Sequence, residues 1–230
     1  MRNFTQLLSK GYDGALSLPI PMAIRLTDLI PPGAAAGAAL FLRWQNYHVL
    51  AIPQRELINT PHRPRFFGVG GKRQNAQESF PDCALREGRE EIGNVIQHIL
   101  SAPSTLRLTA DGNLETLQLA ESLRPRLIWE KRRHSTHGSM AASQATYYLV
   151  AYDALLATAP TPQREIAALL YLTDAHLAHF QAGVGLTLQE LLDLGAKIHC
   201  QPGLLIAPDA ELVPHGTVHL LIDQCRQSRL

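Results

Sequence analysis

Glu87, Glu90 and Glu91 stand at i, i+3 and i+4 within residues 68–95, GVGGKRQNAQESFPDCALREGREEIGNV. On a helix that spacing sets three carboxylates on one face within about one turn, where like charges destabilise the bare helix. Such a cluster is either a solvated acidic face or a ligand set for a hard divalent cation, since Mg²⁺ and Mn²⁺ prefer carboxylate oxygens and water. A glycine-rich loop directly precedes the cluster, and the rest of the chain is not acidic: 21 Lys and Arg stand against 20 Asp and Glu. Both features favour the cation. Arg86, four residues before Glu90, is placed to orient that carboxylate, and Glu78 to anchor Arg86 in turn.

Other residues offer chemistry less sharply. Residues 129–140, WEKRRHSTHGSM, bring together Lys131, Arg132, Arg133, His134 and His137. They read as a solvated strand end or as phosphate contacts, with Arg133 the contact carried forward. His134 and His137 have no third nitrogen or sulfur ligand nearby in sequence, which argues against a zinc pair. Arg63 and Arg65 precede the glycine loop and are further candidates for facing phosphates, together with Gly70, Gly71 and Lys72 of the loop itself. Phe66, Phe67, Trp44 and Trp129 are either core or stacking surfaces for a base. Glu165 in PQREIAALL reads by itself as a turn carboxylate. Cys83, Cys200 and Cys225 are odd in number and widely spaced, with no C-x-x-C pair, which predicts reduced structural thiols.

The elements that must position these groups follow from pattern. Residues 1–32 read as an irregular leader ending at IPPG, and residues 33–230 as one domain closed by a helical extension. Two strands joined at Gln45 and Asn46 are expected over residues 34–44 and 47–55. Ser79 and Asp82 have the form of a capping box, Pro81 fits a first helical turn, and Gly93 falls where the helix would stop. A hairpin through Asp111 and Gly112, strands at RPRLIWEKRR, ATYYLVAYDAL and REIAALLYLT, and short helices at DAHLAHFQ, TLQELLDLG and GTVHLLIDQCRQ complete the pattern. Strands dominate the middle and helices recur around them, so the class is α/β or α+β. No secretory signal or apolar run of membrane-spanning length is present, which predicts a cytoplasmic protein with no membrane partner. A net charge of +1 gives no general reason to expect nucleic acid.

Residues 71–94 resemble the Nudix box: G, five residues, E, seven residues, then R-E-U-x-E-E-x-G-U, with U aliphatic. Glu78, the seven-residue gap, Arg86-Glu87, Glu90-Glu91 and Gly93 match in register. Three departures stand out: six residues rather than five separate Gly71 from Glu78, Gly88 replaces the first aliphatic, and Asn94 the last. None removes a ligand. Gly88 lies one turn after Ala84, so two small positions would let the helix approach the sheet closely.

The resemblance implies an α/β/α sandwich with a mixed sheet between helices. It also implies hydrolysis of the diphosphate linkage in a nucleoside di- or triphosphate or a nucleoside diphosphate derivative. Mg²⁺ or Mn²⁺ would be held by Glu87, Glu90 and Glu91, with Arg86 completing the catalytic set; the general base would be Glu87 or Glu91, or, as in some members of the family, a glutamate from a distant loop, for which Glu165 is the candidate. A diphosphate is a dense anion, and attack on phosphorus needs that charge neutralised. The partner expected is a nucleotide, with homodimerisation left open. Two alternatives remain beside this one: a non-catalytic nucleotide-sensing regulator, which would tend to lose the carboxylates, and an RNA pyrophosphohydrolase, which would call for a continuous basic surface.

Overall fold

A computed structural model describes residues 24–132, 146–180 and 185–227. The expected hairpin is present as β1 (Ala36–Trp44) and β2 (Tyr47–Pro53), turning at Gln45 and Asn46 with Trp44 opposite Tyr47. The second strand is shorter than its apolar run suggests: the chain passes at Pro53 into helix α2 (Gln54–Asn59). The glycine-rich segment, expected as a loop, contributes two strands, β3 (Arg65–Phe66) and β4 (Val69–Lys72). Helix α3 (Phe80–Ile92) carries the glutamates, and a short helix α1 (Leu26–Leu29) sits where the leader was expected to be irregular.

Beyond α3 come β5 (Ile96–Leu100), the hairpin β6 (Thr105–Leu108) and β7 (Leu114–Leu117), then β8 (Leu127–Arg132), β9 (Thr146–Leu156) and β10 (Ile166–Leu172). The C-terminal part holds α4 (Asp174–Leu177), β11 (Leu186–Thr187), α5 (Leu188–Asp193), β12 (Lys197–Cys200), β13 (Glu211–Pro214) and α6 (Val218–Gln227). The extension is therefore not purely helical. β12 joins the edge of the main sheet beside β10, while β13 pairs with β11 and β3 in a second, three-stranded sheet. These strands are short and flanked by polar residues, so no alternation announces them in the sequence.

The main sheet runs β12-β10-β2-β1-β9-β8-β6-β7, with β4 also paired to β1 and β5 to β9. It is mixed: β1 runs parallel to β9 and β6 to β8, while the other pairs are antiparallel. Both faces are covered. Ala39, Phe41, Leu50, Ile52 and Leu170 belong to a core shared with Leu177, Leu191 and Leu221 of α4, α5 and α6. Ala38, Leu40, Leu42, Val49 and Leu169 belong to the opposite core with Cys83, Ala84 and Ile92 of α3, where Leu26 and Ile30 also pack. Every residue of β10 is buried, as expected of a strand covered on both sides. The fold is thus the expected α/β/α sandwich with a mixed sheet. Among the described residues no helix is long and apolar enough to cross a membrane.

Candidate active site

Helix α3 begins and ends where its caps dictate. The Ser79 hydroxyl accepts from the Asp82 N–H at 3.1 Å and donates to Asp82 Oδ2 at 2.6 Å, with Pro81 in the first turn. Gly93, at φ 83°, stops the helix. Cys83, Ala84, Gly88 and Ile92 form the face buried on the sheet. Gly88 closes the approach as the sequence suggested: a Cβ there would strike the Ile96 side chain and lie 3.0 Å from Leu40 Cδ1. The close seat of α3 brings the glutamates down onto β4.

Strand β4 is shaped for them. Gly70, at φ 150°, lies against β1 where a Cβ would run into the Ala38 carbonyl and the Ala39 backbone, while a Cβ on Gly71 would occupy the Glu87 carboxylate. Glu91, 7 % exposed, accepts the Gly70 N–H on Oε2 at 3.0 Å. Burial pushes its pKa up to about 8; the Gly70 hydrogen bond opposes the rise, and repulsion from Glu165, Glu87 and Glu90 adds to it.

Arg86 does what the spacing suggested, with a different main target. Its Nε lies 2.8 Å from Glu78 Oε1 and its Nη1 2.7 Å from Glu87 Oε1, whereas Glu90 Oε1 is 3.7 Å away. Its Nη2 donates to the Lys72 carbonyl at 3.0 Å, tying α3 to the end of β4. The hydrogen bond from Arg86 holds the Glu78 carboxyl below its ordinary range, and Gln74 N–H donates to Glu78 Oε2 at 2.7 Å. Arg86 therefore orients Glu87 first.

Glu90 has another partner. Arg164 Nη1 lies 2.5 Å from Glu90 Oε2, a contact that sequence reasoning missed, although Arg164 adjoins the Glu165 it singled out. The turn before β10 is stitched to the cluster: Gln163 N–H donates to the Glu91 carbonyl at 2.9 Å, and Gln54 N–H to the Glu165 carbonyl at 2.7 Å. Glu165 is exposed and close enough to raise the pKa of Glu91. A fourth carboxylate thus acts on the α3 cluster from 74 residues beyond Glu91 in sequence.

The remaining candidates divide. Lys72 lines a 270 Å³ pocket with Arg73, Asn75, Ala34–Ala36 and Tyr147. Arg65 is engaged elsewhere, its Nε and Nη2 each 2.8 Å from the buried Glu56, and Arg63 Nε lies 3.0 Å from Glu211 in the second sheet. Arg133, His134 and His137 lie outside the described residues. Phe66 is core, against Phe180; Trp44 packs edge-on to Tyr171; Lys131 covers Trp129; and Phe67 lies between Arg55, Arg65 and His215. The three cysteines carry thiols, and burial pushes that of Cys83 up to about 11.

His48, Asp174 and Cys225 also place a nitrogen, an oxygen and a sulfur within 4.8 Å of one another. One oxygen, Asp174 Oδ1, already takes His48 Nε2 at 2.6 Å, Arg43 Nη1 at 3.4 Å and the Cys225 thiol at 3.6 Å. This set offers a hard cation one carboxylate beside a nitrogen and a thiol, whereas α3 carries three carboxylates.

No family model matches the chain, and none of the curated proteins does. Solved structures resemble it at low identity. A NUDIX hydrolase from Nitrosomonas europaea is 13 % identical over 62 % of this chain and 59 % of its own, with a TM-score of 0.37. The ORF135 protein of E. coli is 14 % identical over 64 % of this chain and 79 % of its own, with a TM-score of 0.38. A MutT protein from Bacillus halodurans is 10 % identical over 63 % of this chain and 71 % of its own, with a TM-score of 0.34.

Proposed function

We propose that this chain hydrolyses the diphosphate linkage of a nucleoside di- or triphosphate or a nucleoside diphosphate derivative, with Mg²⁺ or Mn²⁺ held by Glu87, Glu90 and Glu91. The observation that carries this reading is the buried Glu91 carboxylate, faced by Glu87, Glu90 and Glu165 with its own pKa driven up to about 8. Three acids around one buried carboxylate outnumber the two arginines, Arg86 and Arg164, that reach the cluster, and an all-oxygen donor set selects a hard divalent cation to supply the missing charge. Bound to these carboxylates, such a cation would neutralise adjacent phosphates and lower the pKa of a water.

The chain's own residues supply the positioning. Glu78 holds Arg86, and Arg86 turns the Glu87 carboxylate toward the cluster. Gly70 fixes Glu91 through its N–H, and Gly71 leaves room for Glu87. Glu165, exposed and acting on Glu91, is assigned the proton of the attacking water in this reading, a role Glu87 or Glu91 could also serve. Lys72, which lines a pocket at the end of β4, is taken as a phosphate contact, and Gly70 and Gly71 are kept as substrate-facing loop residues on sequence grounds. Arg133 is retained as a further phosphate contact on sequence grounds, and Arg63 and Arg65 are assigned structural roles by their ion pairs. A screen of nucleotides with Mg²⁺ or EDTA, with products separated by chromatography, tests the reading. Turnover that survives EDTA, or a full panel left intact with Mg²⁺, contradicts it.

A further inference from the structure

The Arg164 guanidinium lies on one of the carboxylates that would hold the cation, with Nη1 2.5 Å from Glu90 Oε2. The turn that puts it there is built from three parts of the chain. Arg164 has φ 48°, a left-handed conformation that side chains disfavour. Its carbonyl accepts two side-chain amide hydrogen bonds, from Gln54 Nε2 at 2.8 Å and Gln201 Nε2 at 3.0 Å, and the two amides meet each other at 3.0 Å. The flanking residues are tied to the Glu91 carbonyl and the Gln54 N–H. Such strain persists only where the surroundings over-determine it, and here it holds Arg164 on Glu90.

Resting on the reading above, we propose that Arg164 is the counter-ion of Glu90 in the metal-free protein and a phosphate-binding residue once a cation takes that carboxylate. A guanidinium 2.5 Å from Glu90 Oε2 occupies that oxygen and repels a divalent cation brought to it, so the two compete for it. With 60 % of its side chain exposed, Arg164 has room to swing while its clamped backbone stays in place. A diphosphate brought to the cluster presents paired oxygens that match the guanidinium fork. Arg164 thus opposes the cation and supports the substrate, and the two affinities depend on it in opposite directions.

Arg164→Gly and Arg164→Lys in the full chain test this. Glycine adopts φ 48° without strain, so losing the guanidinium does not threaten the turn. In calorimetric titrations without nucleotide, Arg164→Gly should bind Mn²⁺ about two- to fivefold more tightly than the wild type. Its KM for the best nucleotide substrate should rise about tenfold or more, with kcat changed less. Arg164→Lys, keeping the charge without the fork, should fall between on both measures. Unchanged or weaker Mn²⁺ binding by Arg164→Gly, or an unchanged KM, overturns the role given to Arg164. A Mn²⁺ isotherm that Glu90→Gln leaves untouched contradicts the metal-cluster reading itself, and this inference falls with it.

Discussion

The Glu91 carboxylate accepts the backbone N–H of Gly70 at 3.0 Å, joining the last turn of α3 to β4. One hydrogen bond thereby couples the two sequence features that drew attention, the glycine-rich stretch and the acidic helix. It also offsets only part of the cost of burying a carboxylate among three others, because the Glu91 pKa still stands near 8.

That imbalance has a pH signature. With a folded pKa of about 8 against a reference of 4.5, Glu91 keeps its proton in the folded state while ionising in the unfolded one. Between those values the folded state binds more protons, so this contribution to stability is full below about pH 4.5, falls as pH rises, and is gone above about 8. The metal-free chain should lose about 5 °C or more of Tm across that window relative to Glu91→Gln. Mg²⁺ should flatten the difference. Matching Tm profiles for wild type and Glu91→Gln in EDTA would contradict this.

Glu90→Gln and Glu91→Gln should each lower kcat by about a hundredfold or more, since each removes a charge aimed at the cation rather than at core packing. Glu91→Gln should at the same time raise the Tm of the metal-free protein at pH 8. Circular dichroism and steady-state kinetics on the same preparations check both. Near-wild-type turnover by both variants would favour a nucleotide-sensing role instead.

The glycines of β4 should separate activity from folding. Gly71→Ala puts a methyl where the Glu87 carboxylate lies, a flexible side chain that can move aside. It should lower kcat about tenfold while leaving Tm within a few degrees. Gly70→Ala meets the backbone of Ala38 and Ala39 at φ 150°, which cannot yield, and should cost about 2 kcal/mol or more of stability. Equal loss of Tm in the two variants would show that Gly71 is structural as well.

Arg65 tests a different assignment. Glu56 is 2 % exposed, and the hydrogen bonds from Arg65 hold its carboxyl below the usual range. The stability from this pair is present above about pH 4.5 and lost as pH falls through the lower folded value. Arg65→Met should cost about 1–3 kcal/mol at neutral pH, less in acid, and leave KM unchanged. A raised KM with unchanged stability would return Arg65 to the substrate.

The site was legible where its signal was local. Glu78, Arg86 and the three helix glutamates lie within fourteen residues, and their mutual contacts follow from helix geometry and a capped start at Ser79. Glu165 was legible only as an isolated carboxylate, because its approach to Glu91 depends on β10 pairing with β2, a strand distant in sequence. Arg164 was not legible, since nothing in its type announces a left-handed backbone held by Gln54 and Gln201. Arg63 and Arg65 show the converse. Proximity to the glycine stretch in sequence placed them near phosphates, but their charges answer Glu211 and Glu56. The second sheet escaped for a related reason: two- and four-residue strands are too short for alternation to register.

Hydrolysis in ¹⁸O-enriched water with Mg²⁺ tests the central claim most directly. If the carboxylate cluster directs water at phosphorus within a diphosphate, a nucleoside triphosphate should give the monophosphate and pyrophosphate, and a nucleoside diphosphate derivative the monophosphate and a phosphorylated remainder. Mass spectrometry should find one ¹⁸O on a phosphate of the products, and EDTA or Glu90→Gln should abolish its incorporation. Label on a ribose or base carbon, inorganic phosphate released from a simple monoester, or incorporation that Glu90→Gln leaves intact would contradict it.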